Sequence, residues 1–199
     1  MDTAEQKKEQ ILQAAFKVLL RHGIEGFSLS RVAANADITT SLIFHYFENK
    51  HALILALTDK ILEQYALFIE HHLDQKKELT PAGFERFVDS LFTHIQGNST
   101  TVEGFYACYY MGLRDEAIRK ALFSCLEAVQ GILYKNLALF ADKGFISLSN
   151  AELAIGYIIS CASGLFKMFG VEEKGTEKYE ELIALHKKNI LALLKYQSL

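Results

Sequence analysis

The stretch Ser28–Lys50, SLSRVAANADITTSLIFHYFENK, constrains the fold of this chain more than any other. It reads as two short helices joined by a tight turn. Each opens on a capping hydroxyl, Ser28 and then Thr39. An apolar residue precedes each cap (Phe27, Ile38), placed to staple onto Val32 and Ile43 in the first turn. Val32, Ala36, Ile38, Ile43 and Tyr46 fill the slots that one helix must bury against the other, and the small Ala33 sits at their contact. Helices this short are not stable alone. They must pack on the amphipathic helix before them, with Ile11, Leu12, Ala15, Phe16 and Leu19 on one face, and on the start of the helix that follows. This is the pattern of a helix-turn-helix, whose second helix has the shape to enter a DNA major groove.

The same helical punctuation runs down the chain. Thr3 with Gln6 forms a capping box, and Gly23 supplies a left-handed stop behind Arg21 and His22. Residues 49–73 carry Leu53, Leu57, Ile61, Leu62, Tyr65 and Phe68 at helical spacing. Thr80-Pro81 starts a helix striped by Phe84, Phe87, Val88, Leu91 and Ile95, and Gly97 to Ser99 break it. Thr100 with Glu103 opens a short aromatic helix, and Asp115 to Lys143 is a long one ended by Gly144. Ser149 with Glu152 reads as a capping box for a helix ending near Gly170, and Thr176 opens the last. That makes nine helices and no convincing strand. The expected fold is all-α, with a three-helix DNA-binding module over residues 1–48 and a six-helix bundle over 49–199, to which the resemblance described below assigns ligand binding and dimerisation.

Charge adds little. The net charge is −3, and residues 1–50 hold six Lys/Arg against six Asp/Glu, so attraction of this end to phosphate is modest. Cys108, Cys125 and Cys161 are odd in number and lie in apolar helical stretches. They read as small core hydrophobes of a reducing cytosol, with a redox sensor as the rarer alternative. The longest uncharged run, Leu153 to Phe166, is 14 residues, against roughly 17–25 for a membrane span. No signal peptide is read, and the expected location is cytoplasmic. A Gly-rich phosphate loop, GxSxG, HExxH and CxxC are all absent, and His71-His72 reads as a solvated helix face. Neither an enzyme nor a metal or cofactor site is therefore expected.

Phe27-Ser28-Leu29-Ser30-Arg31-Val32-Ala33, Ala36-Asp37-Ile38-Thr39, Ile43-Phe44-His45-Tyr46-Phe47 and Lys50 with Ala52-Leu53 together resemble the TetR family of transcriptional regulators. The resemblance implies a dimeric, ligand-responsive DNA-binding protein. It most naturally implies a repressor, although the chain does not encode where its operator lies and an activator stays open. Two positions depart from the family: Asp37 stands where a turn glycine is usual, and Phe44 where a tyrosine is usual. The neutral head and Phe44 also leave open a helical dimer that has lost DNA binding.

Thr39, Thr40, Ser41 and Leu42 lie at the exposed start of the second motif helix, where base edges are met. None is Arg, Asn or Gln, so bidentate base contacts are unavailable from this segment. Specificity is expected from the DNA backbone, thymine methyls and DNA shape. Ser28, Arg31, Thr39, His45, Tyr46 and Lys50 are the phosphate candidates, and Phe44 completes the DNA-binding set.

In the body, aromatic and sulfur side chains crowd the middle helices, including Phe84, Phe92, Phe105, Tyr134 and Met168. The tyrosines among them bring hydroxyls that need partners. The resemblance implies a ligand site between the fourth and eighth helices. Tyr65, Phe87, Tyr106, Tyr109, Tyr110, Phe123, Leu126, Tyr157 and Cys161 are its candidate residues, suited to a small apolar or weakly polar effector. The last two helices, about 151–169 and 178–196, are the expected homodimer interface. Gly156, Ser160, Ala162, Ser163 and Gly164 give the first of them a small-residue face that admits close approach.

Overall fold

The structure is a computed structural model and describes residues 3–74, 78–96, 100–169 and 177–196. Among these it contains nine α-helices and no strand: α1 Thr3–His22, α2 Leu29–Ala36, α3 Thr40–Tyr46, α4 Lys50–Asp74, α5 Pro81–Gln96, α6 Thr100–Gly112, α7 Glu116–Asp142, α8 Ala151–Phe169 and α9 Glu177–Leu193. A single 3₁₀ turn, Leu148–Asn150, precedes α8. The expected break at Gly97–Ser99 and the start at Thr176 lie outside the described residues, as do the side chains of Thr3, Ile95, Phe166 and Met168.

The helix ends follow local chemistry. Gly23 ends α1 at φ +64 and Gly144 follows α7 at φ +78, both in the left-handed region that glycine enters without steric cost. Asn49 caps α4 by accepting from Ala52 N–H (2.9 Å), and Thr80 caps α5 by accepting from Gly83 N–H (3.0 Å). One start is corrected. Ser149 does not cap α8. Ser147, two residues earlier, accepts from Ser149 N–H (3.3 Å) and opens the 3₁₀ turn that runs into α8. Only Ser149, with Glu152 three residues on, fits the box pattern, but a serine at either position is a favourable cap.

The chain divides into two compact units, Met1–Ala66 with Thr100–Leu126 and Leu67–Ser99 with Glu127–Leu199. The first has one continuous core. Ile11, Ala15, Val18 and Leu19 of α1 meet Val32, Ile43, Leu53, Leu57 and Ile61, and the same cluster takes in Phe105, Cys108, Met111, Ile118, Leu122 and Cys125 of α6 and α7. The helix-turn-helix is therefore cored together with α6 and the start of α7. Gly104 lets α6 come close, because a Cβ there would lie 2.8 Å from the Phe16 ring and 3.1 Å from Ile61.

In the second unit α5 packs on α8 and α9. Phe84 and Phe87 are fully buried against Phe140 with ring centroids 5.1 and 5.5 Å away, and Tyr196 packs on Phe84 at 5.2 Å. His71 is exposed, but His72 is not a solvated neighbour. It is half-buried, its Nε2 is 3.1 Å from Ser90 O and its ring stacks on Phe68.

Candidate nucleic-acid interface

The geometry of α2–turn–α3 follows from four local devices. Ser28, extended at φ −141 and ψ 148, accepts from Arg31 N–H (3.3 Å) and starts α2. Asp37, at φ 51 and ψ 51, takes the left-handed turn position, which Asp is among the few non-glycine residues to tolerate. Ile38 N–H then reaches back to Ala33 O (3.0 Å), closing α2. Thr39 accepts from Leu42 N–H (3.3 Å) and starts α3. From α1, Gln10 donates to Ala36 O (2.8 Å), satisfying a carbonyl at the end of α2 beside the turn. The seam beneath is dry, since Val32 and Ile43 are each fully buried.

With Ile43 anchored inward, the rest of α3 faces out. Ser41, Phe44 and His45 are exposed, and Thr40, Leu42 and Tyr46 are half-buried. Phe44 leaves 51% of its surface open, an apolar ring on a short helix with no core partner. The His45 and Tyr46 rings meet edge to face at 5.1 Å. The six DNA candidates from Thr40 to Tyr46 thus share one helix and one outward region.

Arg31 and Lys50 differ from them. Both side chains are exposed, yet Arg31 Nη1 donates to Gly26 O (2.5 Å) and Lys50 Nζ to Phe27 O (2.6 Å).

The effector candidates fall in both units. In the first, Tyr65 stacks on Phe105 at 4.1 Å, and Phe105 meets Tyr106 edge to face at 5.4 Å. Burial pushes the Tyr65 hydroxyl far above the usual phenol range, so it is a neutral donor and acceptor at every physiological pH. Leu126 packs half-buried against the core, and Phe123 is exposed. Tyr109 and Tyr110 meet edge to face at 5.9 Å.

Tyr110 also lines an open cleft of about 780 Å³, walled by Leu19 and Glu25, by His51 and Ile54, and by Met111 and Arg114. Asp115 bounds the cleft, its Oδ2 lying 2.6 Å from His51 Nε2. Its Oδ1 accepts from Ala117 and Ile118 N–H (2.9 and 3.1 Å), capping α7. His51 first, then the Ile118 N–H, hold the Asp115 carboxyl below the usual range. The cap was legible as the helix start, but the His51 contact had no sequence signal, because 64 residues separate the partners.

In the second unit Phe87 is core. Tyr157 and Cys161 converge on a residue that sequence reasoning missed, His186, whose Nδ1 lies 2.9 Å from Tyr157 Oη and 3.1 Å from Cys161 Sγ. Asn189 donates to the same Tyr157 oxygen (2.8 Å). Burial lowers the His186 pKa and raises that of Cys161, so both are held in their neutral forms.

Among the described residues no three His, Cys, Asp or Glu side chains are grouped to hold a metal. No helix there is long and apolar enough to cross a membrane.

This arrangement agrees with known proteins across its whole length. The family profile described as bacterial regulatory proteins of the tetR family matches residues 11–57, and a tetracyclin repressor-like C-terminal domain profile matches residues 80–196. The HTH-type transcriptional regulator BetI of Vibrio campbellii is 24% identical over 161 residues, covering 80% of this chain and 78% of the relative. A TetR-family transcriptional regulator from Mesorhizobium loti superposes with a TM-score of 0.79 at 14% identity, covering 98% of both chains. Salmonella enterica GusR superposes at 0.76 and 17%, again covering 98% of both. Both halves of the chain thus match a regulator that couples a helix-turn-helix to a helical body and carries out no catalysis. The chain belongs to the TetR family of DNA-binding transcriptional regulators.

Proposed function

We propose that this regulator is a cytoplasmic repressor that a small apolar or weakly polar effector releases from its operator. The observation that carries the DNA half is the outward face of α3, held by the buried Val32–Ile43 seam. It presents Thr40, Ser41, Leu42, Phe44, His45 and Tyr46, flanked by Ser28, Arg31, Thr39 and Lys50, and offers no Arg, Asn or Gln to a base edge. Recognition then rests on backbone contacts, on thymine methyls met by Leu42, and on DNA shape. The DNA-binding domain is taken as residues 1–48 and the effector and dimerisation domain as 49–199.

The working unit is a homodimer through α8 and α9. Leu153, Gly156 and Ser160 repeat along one exposed side of α8, a Cβ at Gly156 or Gly164 would meet nothing within 4 Å, and Leu185 of α9 is exposed. A dimer brings two α3 helices to one DNA face, where successive major grooves lie ~34 Å apart. For the effector, the Tyr65–Phe105–Tyr106 group and the cleft beside Tyr110 supply aromatic surface with hydroxyls. The cleft volume lies within the roughly 300–1,000 Å³ of small-molecule sites. Tyr109, Phe123 and Leu126, with Phe87, Tyr157 and Cys161 of the second unit, are the remaining candidates. An effector that fits better when the heads are off their DNA spacing shifts the population away from the operator, with coupling typically ~1–3 kcal/mol.

The test is a selection of genomic fragments retained by the purified protein, followed by Leu42→Ala and Tyr46→Ala. Both variants should weaken retention of the selected fragment. Unchanged affinity in both would remove α3 as the reading helix.

A further inference from the structure

We infer that Gln10 of α1 is a positioning residue for α3, because it tethers the peptide that leads α2 into its left-handed turn. This rests on the proposed reading of α3 as the DNA-contacting helix. Asp37 holds φ 51 and ψ 51 although it carries a Cβ, a conformation that residues other than glycine enter at a cost. The direction in which the chain leaves α2 depends on that residue, since Thr39 already caps α3 two positions later.

Bonds within the motif hold one side of the turn. Asp37 N–H reaches Ala33 O and Ala34 O, and Ile38 N–H reaches Ala33 O (3.0 Å). The other side is held from α1. Gln10 Nε2 donates to Ala36 O (2.8 Å), the carbonyl of the peptide bond joining Ala36 to Asp37. Lys7 Nζ donates to Gln10 Oε1 (2.8 Å), which leaves the amide nitrogen to face that carbonyl. The same part of α1 also meets the far end of the motif, where the Lys8 ammonium lies 5.9 Å from the ring centroid of Phe47, the residue that closes α3. With the Ala36–Asp37 peptide tethered, a change of φ at Asp37 has to move everything after it. Ile43 is fully buried and resists that movement, so Asp37 is kept left-handed. Ala36 is itself buried, and a buried carbonyl stripped of its donor costs more than the net worth of the bond.

Amide hydrogen exchange in the protein without DNA reads the turn directly. Gln10→Met keeps the stem and loses the donor. Gln10→Glu keeps the contact with Lys7 and sets an accepting oxygen against Ala36 O. The Ile38 N–H should exchange about 5- to 100-fold faster in Gln10→Met, the scale of one buried carbonyl left unpaired, and faster still in Gln10→Glu. The N–H groups of Val32 and Ile43 should quicken less, because they open with the core. Adding Asp37→Gly to Gln10→Met should slow Ile38 exchange again, since glycine takes the left-handed conformation without steric cost.

Both Gln10 variants should also weaken retention of a selected operator fragment, and Asp37→Gly should restore part of it. Ile38 exchange that is unchanged in whichever Gln10 variant folds, or that quickens no more than exchange at Val32 and Ile43, overturns the inference. So does full operator affinity in a variant whose turn exchanges fast, or a double variant that exchanges no slower than Gln10→Met. If the wild-type protein retains no DNA fragment the α3 reading fails, and the exchange comparison still decides whether Gln10 holds the turn.

Discussion

Replacing Gly104 and Gly131 by alanine makes the same chemical change in two helices and should move stability in opposite directions. In a helix interior the change gains up to ~1 kcal/mol of intrinsic propensity. Gly131 sits on the exposed side of α7 and an added Cβ meets nothing within 4 Å, so Gly131→Ala should keep that gain. At Gly104 the same methyl arrives 2.8 Å from Phe16 Cε2 and 3.1 Å from Ile61 Cγ2, inside a core that joins α1, α4 and α6. Overpacking of this kind costs ~1–3 kcal/mol, which offsets the propensity gain or exceeds it.

The two variants should therefore separate by ~1–3 kcal/mol. With an m-value of roughly 2–3 kcal/mol/M in urea, the midpoints differ by about 0.3–1.5 M. The measurement is urea unfolding followed by circular dichroism at one fixed protomer concentration, because a dimer's apparent stability depends on it. Phe16→Leu should recover part of the Gly104→Ala deficit by vacating the space. Equal midpoints for the two alanine variants would show that α6 does not seat on α1 as described.

Three further outcomes follow from the same packing and bonding. Ser28→Ala and Thr39→Ala each remove a cap acceptor and should cost ~1 kcal/mol in a denaturant melt, whereas Thr39→Asn should be near neutral; equal effects of the Ala and Asn changes would discount the caps. Asp115 has its folded pKa lowered, so its contribution is complete at neutral pH and is lost as pH falls from about 3.9 through the folded value. Asp115→Asn still caps α7 but cannot ionise, so its stability deficit against wild type should shrink below pH ~4; a deficit constant with pH refutes the His51 link. Burial pushes the Cys108 thiol up to about 12 and Cys125 up to about 11, so the native protein at pH 8 should react slowly with a thiol reagent and release all three thiols in denaturant; fast native reaction would contradict their burial.

Elements whose signals are local were legible in the sequence. Ser28, Asp37 and Thr39 fix two helix starts and a turn within a dozen residues, and the two caps act through bonds spanning three residues. Pro81, Gly23 and Gly144 mark ends by backbone conformation alone. Side-chain roles set by distant parts of the chain were not legible. His186 could not be paired with Tyr157 and Cys161 before α8 and α9 were seen to pack, nor His72 with Ser90 O. Lys50 looked like a surface cation, because an exposed lysine reads the same whether it faces phosphate or the carbonyl of a loop 23 residues earlier. Even locally the signal can be degenerate: Ser147 and Ser149 each suit a cap, and only the 3₁₀ turn chooses between them.

The shared core of the first unit bears on how a signal would reach DNA. If the helix-turn-helix had its own core, an effector near Tyr65 could rearrange α6 without disturbing α3. Instead Ile43 of α3 and Val32 of α2 belong to the cluster that includes Phe105, Cys108 and Met111 of α6, and Phe105 is the ring on which Tyr65 stacks. Close-packed interiors do not deform continuously, so a shifted α6 leaves the cluster either repacked or as it was. Were the proposed effector to shift α6, the whole cluster, α3 included, would have to repack with it, and a ligand of differing affinity for the two packings would drive the change. Gly104 seats α6 against Phe16 of α1 and Ile61 of α4 with no room for a methyl, so a Cβ there disturbs the contact between these helices. A methyl at that position should therefore weaken operator binding in the absence of any effector, and a Gly104→Ala variant that binds the operator as wild type does, while still being released by the effector, would show that the signal travels by another route.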